Sequence, residues 1–196
     1  MTGGMICVLF GPPGSGKGTQ AGLLTAALGV PQVSTGDMLR AEAAALTPLG
    51  RRVAPLLAAG ELVPDELIES ILEQRLRAPD AARGAILDGY PRTLPQARSL
   101  DRRLAEANWR VDVVLYLEVD EATLLDRLLQ RAAEQHRTDD NPASIAERLL
   151  EFHQRTEPVI DYHRQRGVPV LEVDGTGDVD TVHAGITRAL AAAGFA

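Results

Sequence analysis

Gly11-Pro12-Pro13-Gly14-Ser15-Gly16-Lys17-Gly18-Thr19-Gln20 decides how this chain folds. Its spacing follows G-x-x-x-x-G-K-[ST], a loop whose glycines turn successive backbone N–H groups toward one anion. The cation of the loop is singular: of 20 basic residues, 19 are arginine and Lys17 is the only lysine. Arginine presents a broad planar fork and lysine a narrow point charge on a flexible stem, so a lone lysine marks a place where the narrow cation is needed. Upstream, Met5-Ile6-Cys7-Val8-Leu9-Phe10 is a continuous apolar run suited to a buried parallel strand, and downstream Leu23, Leu24, Ala27 and Leu28 recur at helical spacing. The loop thus joins a strand to a helix N-terminus, where free N–H groups and the helix dipole favour an anion. One departure stands out. The residue after Lys17 is Gly18, and the hydroxyl that such loops offer to magnesium, Thr19, comes one place later.

Working outward, short apolar strand candidates recur at Ile6 to Phe10, Gln32 to Ser34, Ala85 to Leu87, Val111 to Leu117 and Val168 to Val173, with helical segments between them. That alternation predicts an α/β domain, with a five-stranded parallel sheet covered by helices on both faces. Ligands of such sheets gather at the carboxyl ends of the strands. Ser34-Thr35-Gly36-Asp37, Asp88-Gly89-Tyr90-Pro91-Arg92 and Asp174-Gly175-Thr176-Gly177 each follow a strand candidate, so all three are expected to rim one crevice with the glycine loop. Two stretches break the rhythm. Residues 34–63 hold too much helix for a simple crossover and read as a small helical insertion, and residues 131–141 form a short polar connection before a helix that Asn141 and Pro142 are suited to start. The remainder, 1–33, 64–130 and 142–196, forms the core of a single domain.

Composition bounds the function. A net charge of −7 argues against a general nucleic-acid binder, which needs a basic face. It leaves room for a local cationic site in an acidic shell. No apolar run is long enough to span a bilayer, and the first one lacks the basic leader of a signal peptide, so a cytoplasmic location is expected. The single cysteine, Cys7, excludes an internal disulfide and a cysteine-built zinc site, and fits a small buried residue of the first strand.

Six strings in this order, GPPGSGKGTQ at 11–20, STGDMLR at 34–40, GELVPDELI at 60–68, LDGYPRTLPQA at 87–97, RTDDN at 137–141 and TEPVI at 156–160, resemble the adenylate kinases of the short-lid type. The resemblance spans most of the chain. It implies a P-loop NTPase fold with a nucleoside monophosphate insertion at 34–63 and a lid at 131–141, and the reaction ATP + AMP ⇌ 2 ADP with magnesium, carried out by a monomer. The residues make chemical sense of that reaction. Phosphoryl transfer needs positioning and electrostatic stabilisation more than covalent chemistry, and a phosphate acceptor, with a second pKa of about 6, is already ionised and needs no general base. The matched phosphate-site strings accordingly offer arginine and no histidine; His136, His153, His163 and His183 fall in lid or helix and read as surface or helix-face residues.

The resemblance also assigns roles. Gly14, Ser15, Gly16, Lys17, Gly18 and Thr19 would cradle ATP, with Gly177 giving a backbone contact to its adenine. Arg131 would sit at the ATP site by the lid hinge and Arg127 beside the transferring phosphate; their spacing of four places both on one helix face. Arg137 and Arg148 match arginines that reach the phosphates on lid closure, and Arg40 and Arg92 those that grip the AMP phosphate. Glu61, Leu62, Val63, Gly89, Tyr90 and Pro91 complete the AMP side. Thr35 and Gln96 match adenine-contacting residues where pyrimidine monophosphate kinases carry other types, which disfavours a UMP/CMP kinase; the cationic set disfavours a non-catalytic nucleotide sensor. Asp88, at a strand end, suits a carboxylate near magnesium or a turn before Gly89. Asp139 and Asp140 either orient lid arginines or bond the following helix start. Tyr90, where phenylalanine is more usual, and His136, where short lids often have glycine, depart mildly from the family pattern.

Overall fold

The computed structural model describes residues 5–59, 61, 63–135 and 141–195, with the backbone alone at 132–135 and 142. Five strands, β1 (Met5–Phe10), β2 (Gln32–Ser34), β3 (Gly84–Asp88), β4 (Val113–Glu118) and β5 (Val170–Asp174), form one sheet in the order β2-β3-β1-β4-β5. Every pairing is parallel. The expected strands are therefore all present, with ends displaced by one or two residues.

Strand β1 lies at the centre, and its apolar run is buried from Ile6 to Phe10. Its pleat divides the core: Ile6, Val8 and Phe10 pack on one face with Leu87, Leu100 and Val159, while Cys7 and Leu9 pack on the other with Leu24, Ile86 and Ile186. A continuous apolar strand is what two covered faces require. Burial pushes the Cys7 thiol up to about 12, with Asp112 adding to the effect, so it is an inert core residue.

After β1 the chain enters α1 (Lys17–Leu28), and after β2 come α2 (Thr35–Ala44) and α3 (Pro48–Ala59), packed on each other. Their crossing is close: a Cβ on Gly50 would lie 1.9 Å from the Glu42 carbonyl oxygen, which explains a glycine inside α3. Helix α4 (Asp65–Leu76) leads to β3 and α5 (Leu94–Glu106) to β4; α6 (Glu121–Gln135) and α7 (Pro142–Glu151) follow. Asn141 caps α7 as its sequence suggests, its Oδ1 accepting from Ser144 N–H at 3.0 Å. A π-helical turn, Phe152–Thr156, joins α7 to α8 (Glu157–Gln165), and α9 (Val179–Ala192) closes the chain after β5.

His163 takes a helix-face position, on the buried side. It is fully buried on the inner face of α8, beside Phe10 and Tyr162, and neither ring nitrogen has a hydrogen-bond partner. Burial lowers its pKa, Asp101 opposing and Arg166 assisting. A lowered pKa means that the unfolded chain takes up this proton first as pH falls below about 6.5, so stability is lost on the acid side and kept above it. His163→Phe is accordingly expected to flatten the fall in urea midpoint between pH 7.5 and pH 5.5; an unchanged slope would show that other groups set it. The remaining described histidines differ: His153 is exposed, and His183 is half-buried with Nδ1 3.2 Å from Gln20 Oε1.

Candidate functional site

The carboxyl ends of β1, β2 and β3 and the loop after β5 open into one cleft of about 860 Å³. All of the expected crevice loops meet there. The glycine loop forms its floor, with Gly14 and Gly16 in the left-handed region at φ 86° and 90°. Side chains rarely adopt that backbone. At Gly14 a Cβ would also lie 3.0 Å from the Leu124 carbonyl oxygen and from Leu128 Cγ of α6, so this loop has no room for one.

Lys17 begins α1, half-buried, and its ammonium curls back over the loop. Nζ donates to the Gly11 and Pro12 carbonyls at 2.6 and 2.9 Å and to Ser15 Oγ at 3.2 Å. Three acceptors match the three donors of an ammonium. Desolvation lowers its pKa to about 8; Asp88 works in the other direction, and Arg92, Arg148 and Arg131 add to the lowering. Lys17 thus feels arginines from three other segments across the cleft. A cleft lined by these cations suits a polyanion.

Opposite the glycine loop, Arg40 pairs with Asp37 at 2.5 Å at the start of α2, whose N-cap Ser34 accepts from Asp37 N–H. Arg92 follows β3, its Nε donating to the Gly89 carbonyl at 2.7 Å. Arg131 of α6 and Arg148 of α7 line the third side. Arg127 is turned away from this group. It clasps the loop after β5, donating to the carbonyls of Gly175, Thr176 and Gly177 at 2.7, 3.0 and 2.8 Å.

A family model described as adenylate kinase matches residues 9–168. Over 193 residues the chain is 48% identical to an adenylate kinase of Sinorhizobium medicae, covering 95% of this chain and 100% of that relative. An adenylate kinase of Caulobacter sp. is 47% identical over 186 residues, with 95% and 98% covered. The chain belongs to the adenylate kinase family. One from Brucella anthropi is 46% identical over 192 residues, again with 95% and 98% covered. Membership agrees with the five-stranded parallel sheet and the strand–loop–helix unit around Lys17 expected of a P-loop fold.

Not every residue matched to this family lines the cleft. Gly14, Ser15, Gly16, Lys17, Gly18, Thr19, Arg40, Asp88, Gly89, Pro91, Arg92, Arg127, Arg131, Arg148 and Gly177 do. Thr35 lies beneath it, buried, its hydroxyl donating to the Gly89 carbonyl at 3.0 Å. Gln96 is fully buried as well: Oε1 accepts from Arg92 N–H at 2.6 Å and Nε2 donates to Asp65 Oδ1 at 2.6 Å. Tyr90 and Val63 belong to the core, the Tyr90 hydroxyl donating to the Gln96 carbonyl at 3.2 Å, and Glu61 is exposed. Leu62, Arg137, His136, Asp139 and Asp140 lie outside the described residues.

Some cleft residues were not assigned a role by the matched strings. Gln32 of β2 donates to Asp88 Oδ2 at 3.1 Å, orienting the carboxylate, and Glu151 at the end of α7 and Phe152 and Thr156 of the π-helical turn reach the cleft. Strand pairing and a widened helical turn bring them there, and neither is visible in local spacing.

Proposed function

We propose that this chain transfers a phosphoryl group reversibly from MgATP to AMP, giving two ADP, as its family implies. The observation that carries the reading is the convergence of Lys17, Arg92, Arg131 and Arg148 on one cleft. A site that only held a nucleotide would not need cations from both sides of a transferring group. In this reading the glycine loop and Lys17 take the β and γ phosphates of ATP, and the clasp of Arg127 fixes the loop from Gly175 to Gly177 against the ATP base. Arg40 and Arg92 take the AMP phosphate. Arg131, Arg148 and Arg137 then neutralise the charge that develops between the two nucleotides. Residues 34–63 act as the AMP-binding flap and residues 131–141 as the lid that keeps water from the activated phosphate. Thr35 and Gln96 contact the AMP base.

The donor set suits magnesium. Asp88 stands at the end of β3, nearly buried, 3.6 Å from where a Cβ of Gly18 would lie, and Thr19 lines the same cleft. Among the described residues no three His, Cys, Asp or Glu side chains cluster. One carboxylate and a hydroxyl are hard oxygen donors, and magnesium is commonly held by one or two carboxylates, phosphate and water. When bound it neutralises charge on the β and γ phosphates. Asp88 and Thr19 would hold it, directly or through water, while Gln32 keeps the carboxylate oriented.

The test is an acceptor panel. With ATP as donor, ADP formation is expected with AMP and only weakly with UMP, CMP or GMP. Preference for UMP or CMP would replace this reading with a pyrimidine kinase, and ATP binding without ADP formation would make the protein a sensor.

A further inference from the structure

The string TEPVI at 156–160 has no role in the chemistry so far, and its first residue makes a specific contact with the AMP side of the cleft. We propose that Thr156 is a positioning residue for Arg92, delivered to it by the π-helical turn; this rests on the reading of Arg92 as a grip on the AMP phosphate. Arg92 lies between β3 and α5, where no strand or helix ladder fixes its peptide groups. Its N–H is held by Gln96 Oε1 at 2.6 Å, from within its own segment. Its carbonyl is held from 64 residues away, by Thr156 Oγ at 3.1 Å. Thr156 is nearly buried, so this hydroxyl has little access to water as an alternative partner.

The turn explains how the hydroxyl arrives. On a regular α-helix, side chains four apart drift around the axis by about 40° per step. Arg148, Phe152 and Thr156 would therefore spiral away from one another. The π-helical turn at Phe152–Thr156 is wider, and all three line the cleft. A widened turn has a local cost in helix geometry, and such turns recur where a side chain must be re-aimed at a functional site. Phe152, buried and stacked on Tyr116 at 6.5 Å between ring centroids, pins the turn to β4. The guanidinium of Arg148 and the peptide of Arg92 are thus tied to one short segment.

Steady-state kinetics on Thr156→Val, which keeps the shape and removes the hydroxyl, tests the idea. We expect kcat/KM for AMP to fall by about 3- to 10-fold, the loss of one hydrogen bond, with KM for ATP and the urea midpoint little changed. Thr156→Ser should restore AMP use to within about twofold, since it returns the hydroxyl. Adding Thr156→Val to Arg92→Ala should cause no further loss, because the two act as one unit. Thr156→Ala gives the same reading should valine pack poorly. If Arg92→Ala impairs AMP use and Thr156→Val does not, the positioning role is wrong and the assignment of Arg92 stands. Equal losses for both nucleotides with a lowered urea midpoint mean a structural residue only, which also overturns it. If Arg92→Ala leaves AMP use intact, the assignment of Arg92 fails and the positioning role fails with it.

Discussion

Lys17→Arg is expected to lower kcat by about 100-fold or more, the scale of losing one preorganised transition-state contact, although the charge is kept. The ammonium occupies a space bounded by the Gly11 and Pro12 carbonyls and Ser15 Oγ, all within 3.2 Å. A guanidinium carries its donors in a rigid plane, and three carbonyl and hydroxyl oxygens around a point are a poor match for a plane. The loop also cannot widen on the side of α6, where Gly14 already lies against Leu124 and Leu128. A second measurement separates size from charge: Lys17→Met should lose turnover at least as severely, while nucleotide binding persists through the backbone N–H groups. Arginine at this position with activity within a few fold of the parent would overturn the argument that a narrow cation is needed. The lowered pKa of Lys17, about 8, adds a binding signature. Polyphosphate favours the charged form, so ATP should bind with net proton uptake at pH 8, measurable by calorimetry in buffers of different ionisation enthalpy, and this uptake should be lost in Lys17→Met.

Arg92→Ala is the other large effect. Removing a charge-assisted, forked contact to a phosphate costs about 3–4 kcal/mol where the partner charge is left poorly solvated, or about 10²- to 10³-fold. That loss is expected in kcat/KM for AMP, with KM for ATP changed by less than about threefold, since only the acceptor phosphate loses its partner. Arg92→Lys should recover little, because the fork and its Nε bond to the Gly89 carbonyl go together. A loss shared equally between the two nucleotides would place Arg92 on the transferring group instead of the acceptor.

The two residues differ in how well local sequence describes them. For Lys17 the glycine spacing, the strand before and the helix after carry both the position and the partner, because a loop between adjacent elements has its geometry set by its own backbone. The five strands, the helices after β2 and the N-cap at Asn141 were legible for the same reason. Arg92, Arg131 and Arg148 could be nominated by matching strings, but nothing local says that they converge. Arg127 shows the limit: its helical spacing with Arg131 suggested a shared anion, and its side chain instead clasps three carbonyls of the loop after β5. Position on a helix face constrains a long side chain only to within its reach.

Gln96 and His163 show the same limit for burial. The first read as ligand-facing and the second as a surface or helix-face residue, and both are enclosed, one satisfied by Asp65 and Arg92 and the other with no partner for either ring nitrogen. Sequence alone determined the class of the fold, the phosphate loop with its narrow cation, and the family, since these depend on short-range pattern and on spacing along one chain. Tertiary structure decided which cations share a cleft, which polar side chains are occupied by protein, and that a widened turn brings Thr156 to Arg92. Those depend on strand order and helix packing, which join residues as far apart as Arg92 and Thr156 and leave no local trace.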